Sequence, residues 1–151
     1  MSNHLKFYID GEWVVPTSNA TIDVIDPSTE APFTQISLGT AADVDRAVLA
    51  ASEAFKTYSQ TTKEQRLTLL RRLLEAYEDR YADIANAISR EMCAPKAMAY
   101  RSQTGSGKAH LVQMIETLEN FEFEELRGTT LIAKEPIGVV GMITPWNWPI
   151  N

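Results

Sequence analysis

The chain has 151 residues, 44% of them hydrophobic and 23% charged, with 20 acidic against 14 basic residues and a formal net charge of −6. This length allows a real hydrophobic core, and the acidic balance argues against nucleic acid as the main partner, because phosphate binding needs a basic face. No apolar stretch is long enough to span a membrane, the N-terminus lacks the apolar core of a signal peptide, and the single cysteine, Cys93, has no internal disulfide partner, so a cytoplasmic location is expected.

In chain order, short strands come first. "KFYIDGEWV" (Lys6–Val14) centres on Asp10-Gly11, a pair suited to the positive φ angles of a type I′ turn, and predicts a β-hairpin. "TIDVIDP" (Thr21–Pro27) and "FTQISL" (Phe33–Leu38) read as two further strands. Helical signals then take over. Thr40 with Asp43, and Thr62 with Gln65, have the spacing of capping boxes. Val44, Val48, Ala51 and Phe55 recur at helical spacing and predict a buried stripe; Leu67, Leu70, Leu73, Leu74 and Tyr77 form a second, and Ile84, Ile88 and Met92 a third. Pro95 breaks or starts a helix, and a helical pattern resumes through "AHLVQMIETLENFEF". Gly128 marks a change of period. "TTLIAKEP" and "IGVVGMITP" read as strands, the second apolar on consecutive positions and so expected to be buried on both faces, as in a parallel sheet. In a βαβ unit Ile137–Ile143 is then a first strand with its crossover still to come, so the sequence reads as cut off.

Four stretches invite a chemical reading. "TGSGKAH" (Thr104–His110) fails as a phosphate loop: Ser102 stands where the first glycine is required, and Ala109 offers no hydroxyl for Mg²⁺. It is expected to be a helix-interrupting or mobile stretch. Cys93 follows a predicted helix without a basic neighbour that would activate it, and is expected to be a buried or half-buried structural thiol. The acidic run "ENFEFEELRG" reads as a solvated helix end, and His4 and His110 lie too far apart to suggest a metal site. "TPWNWP" differs. Prolines 145 and 149 stiffen a turn just past the carboxyl end of a predicted core strand, where open α/β sheets bind ligands, and Asn147 offers a neutral donor that can be aimed at a developing oxyanion. The bland alternative is a rigid aromatic corner.

"KEPIGVVGMITPWNWPIN" closely resembles the strand-and-turn segment of the aldehyde dehydrogenase superfamily. "FYIDGEWV", "VIDPSTEAP", "AADVDRAVLAASEAF", "RLTLLRRLLEAYEDRYADIANAISREM" and "ELRGTTLIAKEP" fall in that family's order and spacing, so the resemblance covers essentially the whole chain. It implies an α/β fold, with residues 1–151 the incomplete N-terminal part of a Rossmann-type NAD(P)-binding domain and residues 129–135 a strand used for assembly into homodimers or homotetramers. It implies oxidation of an aldehyde to an acid: a cysteine thiolate attacks the aldehyde carbon, hydride passes to NAD or NADP (NAD favoured), and a glutamate activates the water that hydrolyses the thioester. In that scheme Asn147 donates its side-chain amide to the substrate oxygen. Ile143, Thr144, Pro145, Trp146 and Asn147 pass along the cofactor, and Trp148 forms a wall of the substrate entrance that favours apolar or aromatic aldehydes. The family commonly has glycine at Cys93. In some relatives backbone near Val24 and Ile25, with the acid at Glu91, holds a monovalent cation; no metal is carried over to this chain. The family's nucleophile, base and glycine-rich cofactor turn lie beyond Asn147, so the 151 residues alone are expected to be inactive. The alternative reading is a non-catalytic module that binds a partner by strand addition through Ile137–Ile143 or "TTLIAKEP".

Overall fold

The computed structural model describes residues 3–151. Strand β1 (Phe7–Ile9) and β2 (Glu12–Val14) form the expected hairpin. Asp10 and Gly11 carry φ values of 54° and 78°, the left-handed pair a type I′ turn requires. Tyr8 faces Trp13 across the ladder with ring centroids 5.3 Å apart, a pairing worth about 0.5–1.5 kcal/mol beyond its buried area. Strands β3 (Thr21–Asp26) and β4 (Ala31–Ser37) make a second antiparallel pair, with a register shift at Val24/Ile25. Their turn is tied by Asp26, whose carboxylate accepts from the Ser28 N–H at 2.8 Å and the Ser28 hydroxyl at 2.6 Å.

Both capping boxes form. Helix α1 (Ala41–Tyr58) starts with the Thr40 N–H donating to the Asp43 carboxylate at 2.9 Å. Helix α2 (Lys63–Asp79) starts with reciprocal bonds between Thr62 and Gln65, 2.8 and 3.2 Å. Helix α3 (Tyr81–Met92) follows at once, and its Arg90 guanidinium lies 4.0 Å from the centroid of Phe33, docking the helix on β4. The short helix α4 (Lys96–Met98), a π turn (Ala99–Gln103) and helix α5 (Thr104–Asn120) then run on without interruption. Strands β5 (Glu124–Arg127) and β6 (Thr130–Ala133) close a last hairpin over Gly128, φ 61°. The mixed α/β class and the order of elements are those expected.

The differences are local and have physical causes. "TGSGKAH" does not interrupt a helix: it is the first two turns of α5. The acidic run is a helix end only at Glu119 and Asn120, where α5 stops; Glu124–Arg127 pairs as a strand. The stripe on α1 is exposed at Val44 and Val48, because among the described residues only the short strand β1 packs against this helix. Cys93 is exposed, at the C-terminal cap of α3 with φ 57° and ψ 25°. A left-handed cap is a position where glycine is favoured over residues with a Cβ. Ile137–Ile143, expected as a buried core strand, makes no ladder. A strand takes its hydrogen bonds from a neighbour, and among the described residues none lies alongside, so Ile137 is 94% and Ile143 100% exposed. No helix among the described residues is long and apolar enough to cross a membrane.

Candidate active-site turn

The core of the molecule holds the "TPWNWP" turn in place. Ile88, Ala94 and Ala99 form a buried cluster, with the partly buried Ile84, Met92 and Ile150 packed against it. Burying a side chain such as Ile88 contributes about 1.5–3 kcal/mol. Room for Ile150 comes from Gly107: a Cβ there would overlap Ile150 Cγ2 and lie 2.5 Å from the Tyr77 hydroxyl. The glycine is therefore in α5 for close approach rather than for flexibility.

Around this plug the turn has two further attachments. The Gln103 side chain, in the π turn, donates from Nε2 to the Asn147 carbonyl at 3.4 Å. Asn151 Oδ1 lies 3.1 Å from Ser106 Oγ and 2.8 Å from His110 Nε2, both on α5, and the Asn151 N–H donates back to the Trp148 carbonyl at 3.0 Å. Asn147 itself is exposed, and among the described residues its side-chain amide makes no hydrogen bond. The Asn147 carbonyl is thus hydrogen-bonded while its side-chain amide is exposed and, among the described residues, unpaired.

The π turn that carries Gln103 is itself stabilised by side chains. The Thr104 N–H reaches the Ala99 carbonyl, five residues back, and Thr104 Oγ1 donates to the same oxygen at 2.9 Å. The Tyr77 hydroxyl donates to the Thr104 carbonyl at 2.9 Å and the Tyr81 hydroxyl to the Tyr100 carbonyl at 2.7 Å. Burial, and then the neighbouring Tyr81, raise the Tyr77 pKa, so its hydroxyl remains a donor.

The residues expected to meet a cofactor, Ile143, Thr144, Pro145, Trp146 and Asn147, are exposed, and Trp148, expected at the substrate entrance, is half-buried. Thr144, Pro145 and Trp146 border a groove of about 580 Å³ whose other wall includes Val24, Ile88 and Glu91. Val24 and Glu91 thus both line this groove. Among the described residues no group of three His, Cys, Asp or Glu side chains is placed to hold a metal ion. The peptide groups of residues 143–146 are not used in any ladder, and Trp146 is 85% exposed. The sequence did not single out Gln103, Gly107 or Ile150. The available signal was a glycine inside a helical pattern, which marks a close approach as often as a break.

Residues 13–151 match the model of the aldehyde dehydrogenase family, and the chain belongs to that family. It is 45% identical to 3-succinoylsemialdehyde-pyridine dehydrogenase of a Pseudomonas species over 152 residues, covering 100% of this chain and 32% of that protein. An aldehyde dehydrogenase from Bartonella henselae superposes with a TM-score of 0.95 at 44% identity, covering 100% of this chain and 33% of that one. A mutant of aldehyde dehydrogenase C from Pseudomonas syringae, complexed with NAD+ and octanal, superposes with a TM-score of 0.96 at 41% identity, covering 98% and 30%. The chain spans about a third of the length of the relatives it matches.

Proposed function

We propose that this chain is the N-terminal part of an NAD(P)-dependent aldehyde dehydrogenase acting in the cytoplasm, and that Asn147 is its oxyanion donor. The observation that carries the reading is the Asn147 turn: backbone held by Gln103 and the Ile150 plug, side-chain amide exposed and unspent. A neutral amide fixed in this way stabilises negative charge on a carbonyl oxygen without reorganising at the moment of reaction. The nicotinamide, when bound, supplies the hydride acceptor. Ile143 to Trp146 offer it backbone donors and acceptors, and the Trp146 face excludes water from one side of it. Trp148, half-buried beside the donor, favours an apolar or aromatic aldehyde. The names of two relatives, one with a pyridine-bearing semialdehyde and one complexed with octanal, support that preference. NAD is the favoured cofactor, in keeping with the NAD+ in the Pseudomonas syringae structure. Residues 129–135, which include β6, are assigned to assembly of a homodimer or homotetramer.

The test is aldehyde-dependent formation of reduced nicotinamide by the complete gene product. Asn147→Ala is expected to lower kcat by about 10²–10³ with little change in KM for the cofactor. The 151 residues alone are expected to give no turnover, because donor, nucleophile and base act as a unit. Full turnover in the Asn147→Ala enzyme would overturn the assignment.

A further inference from the structure

Gln103 is 2% exposed, yet only half of its amide is satisfied. Nε2 donates to the Asn147 carbonyl across 44 residues of chain, while Oε1 is buried and has no partner among the described residues. An unsatisfied buried acceptor is a cost that an apolar side chain of the same length avoids. Packing alone therefore does not account for a glutamine here. What glutamine brings, and methionine or leucine cannot, is a donor facing the Asn147 carbonyl. Its place in the fold adds a second reason. Gln103 closes a π turn, a helix register rarely adopted without a functional gain. That turn is held by the Tyr77 and Tyr81 hydroxyls from α2 and α3. The amide thus stands on a braced segment, and among the described residues it bonds to Asn147, whose own side-chain amide makes no hydrogen bond.

We propose that Gln103 is a positioning residue: it fixes the Asn147 backbone, and through it the point from which the oxyanion-donating amide swings. The inference rests on the reading of Asn147 as that donor. Misplacing a catalytic group by about 1 Å costs on the order of 10²-fold in rate, so a single bond to the carrier residue matters more to turnover than to stability.

The experiment pairs Gln103→Met with Gln103→Glu, each of similar size and lacking the N–H donor, and sets each alone and combined with Asn147→Ala in the complete gene product. Gln103→Met is expected to lower kcat by about 10- to 10²-fold, leave KM for NAD unchanged, and leave Tm unchanged or raised because the orphaned acceptor is gone. In the Asn147→Ala background neither substitution should lower kcat further. In the complete gene product, hydrogen exchange over residues 146–151 should quicken in Gln103→Met while α2 keeps its protection. An Asn147→Ala enzyme with full turnover would remove the reading of Asn147 and this inference together. Asn147→Ala damaged, with the Gln103 substitutions silent, additive, or acting only through a lowered Tm, would remove this inference alone.

Discussion

At the level of single residues, Asp43 ties more of the fold than its place in a helix cap implied. It is buried, and its carboxylate accepts from the Thr40 N–H, the Thr17 N–H at 3.0 Å and the Thr17 hydroxyl at 2.8 Å. It therefore joins the segment after β2 to the start of α1. The Thr40 N–H is the largest cause holding its pKa down to about 2, burial opposes, and the Thr17 hydroxyl and N–H add to the lowering. A carboxyl depressed in the folded state stabilises it above the ordinary value of 3.8, and that contribution drains away as pH falls toward about 2. Thermal melts from pH 5 downward should show Tm falling through this window. In Asp43→Asn, which cannot titrate, the melt should start lower at neutral pH and lose less over the same range. Equal slopes for the two proteins would show that other carboxylates govern the acid limb. The capping-box half of this arrangement was legible in the Thr40–Asp43 spacing. The Thr17 half was not, because no local pattern announces a bond across 26 residues.

At the level of elements, the helices that carry the site are legible where their signals are local and obscure where they answer to a partner. The boundaries of α1 and α2 follow from their caps, and the β1–β2 turn from Asp10-Gly11. The π turn leaves no such trace: its extra residue is tolerated because two tyrosines from other helices take up carbonyls the widened turn releases. Nor could Gly105 and Gly107 be read as helical without knowing that Tyr77 and Ile150 press on the second of them. This dependence gives a direct test. Tyr77→Phe removes the donor to the Thr104 carbonyl and nothing else of comparable size, and should cost about 0.5–1.5 kcal/mol in denaturant unfolding. Hydrogen exchange across residues 99–107 should quicken more than in the rest of α5. An unchanged midpoint would mean that the π turn is held by Thr104, the Tyr81 hydroxyl and the backbone without help from Tyr77.

At the scale of the whole molecule, the apolar surface is unevenly spent. The described core is small, built on Leu67, Ala85, Ile88, Ala94, Ala99 and Ile115, whereas Ile137, Met142, Ile143 and Trp146 are each more than four-fifths exposed. Val139 and Val140 lie between them, 43% and 63% exposed. A run of this kind, with its peptide groups unpaired, is a template for any strand that can lie beside it. The sequence conveyed the right chemistry, a run suited to burial on both faces, but burial is a property of the neighbours and not of the run. The 151-residue chain is therefore expected to bind an environment-sensitive apolar dye and to self-associate as its concentration rises in sedimentation velocity. Replacing Val139 and Val140 by lysine, which sets charges on the run without touching the turn or α3, should reduce both effects while leaving the helical circular-dichroism signal in place. A chain that remains monomeric and dye-free at high concentration would show that residues 137–143 find cover within the molecule, and would remove the physical basis for strand addition at this segment.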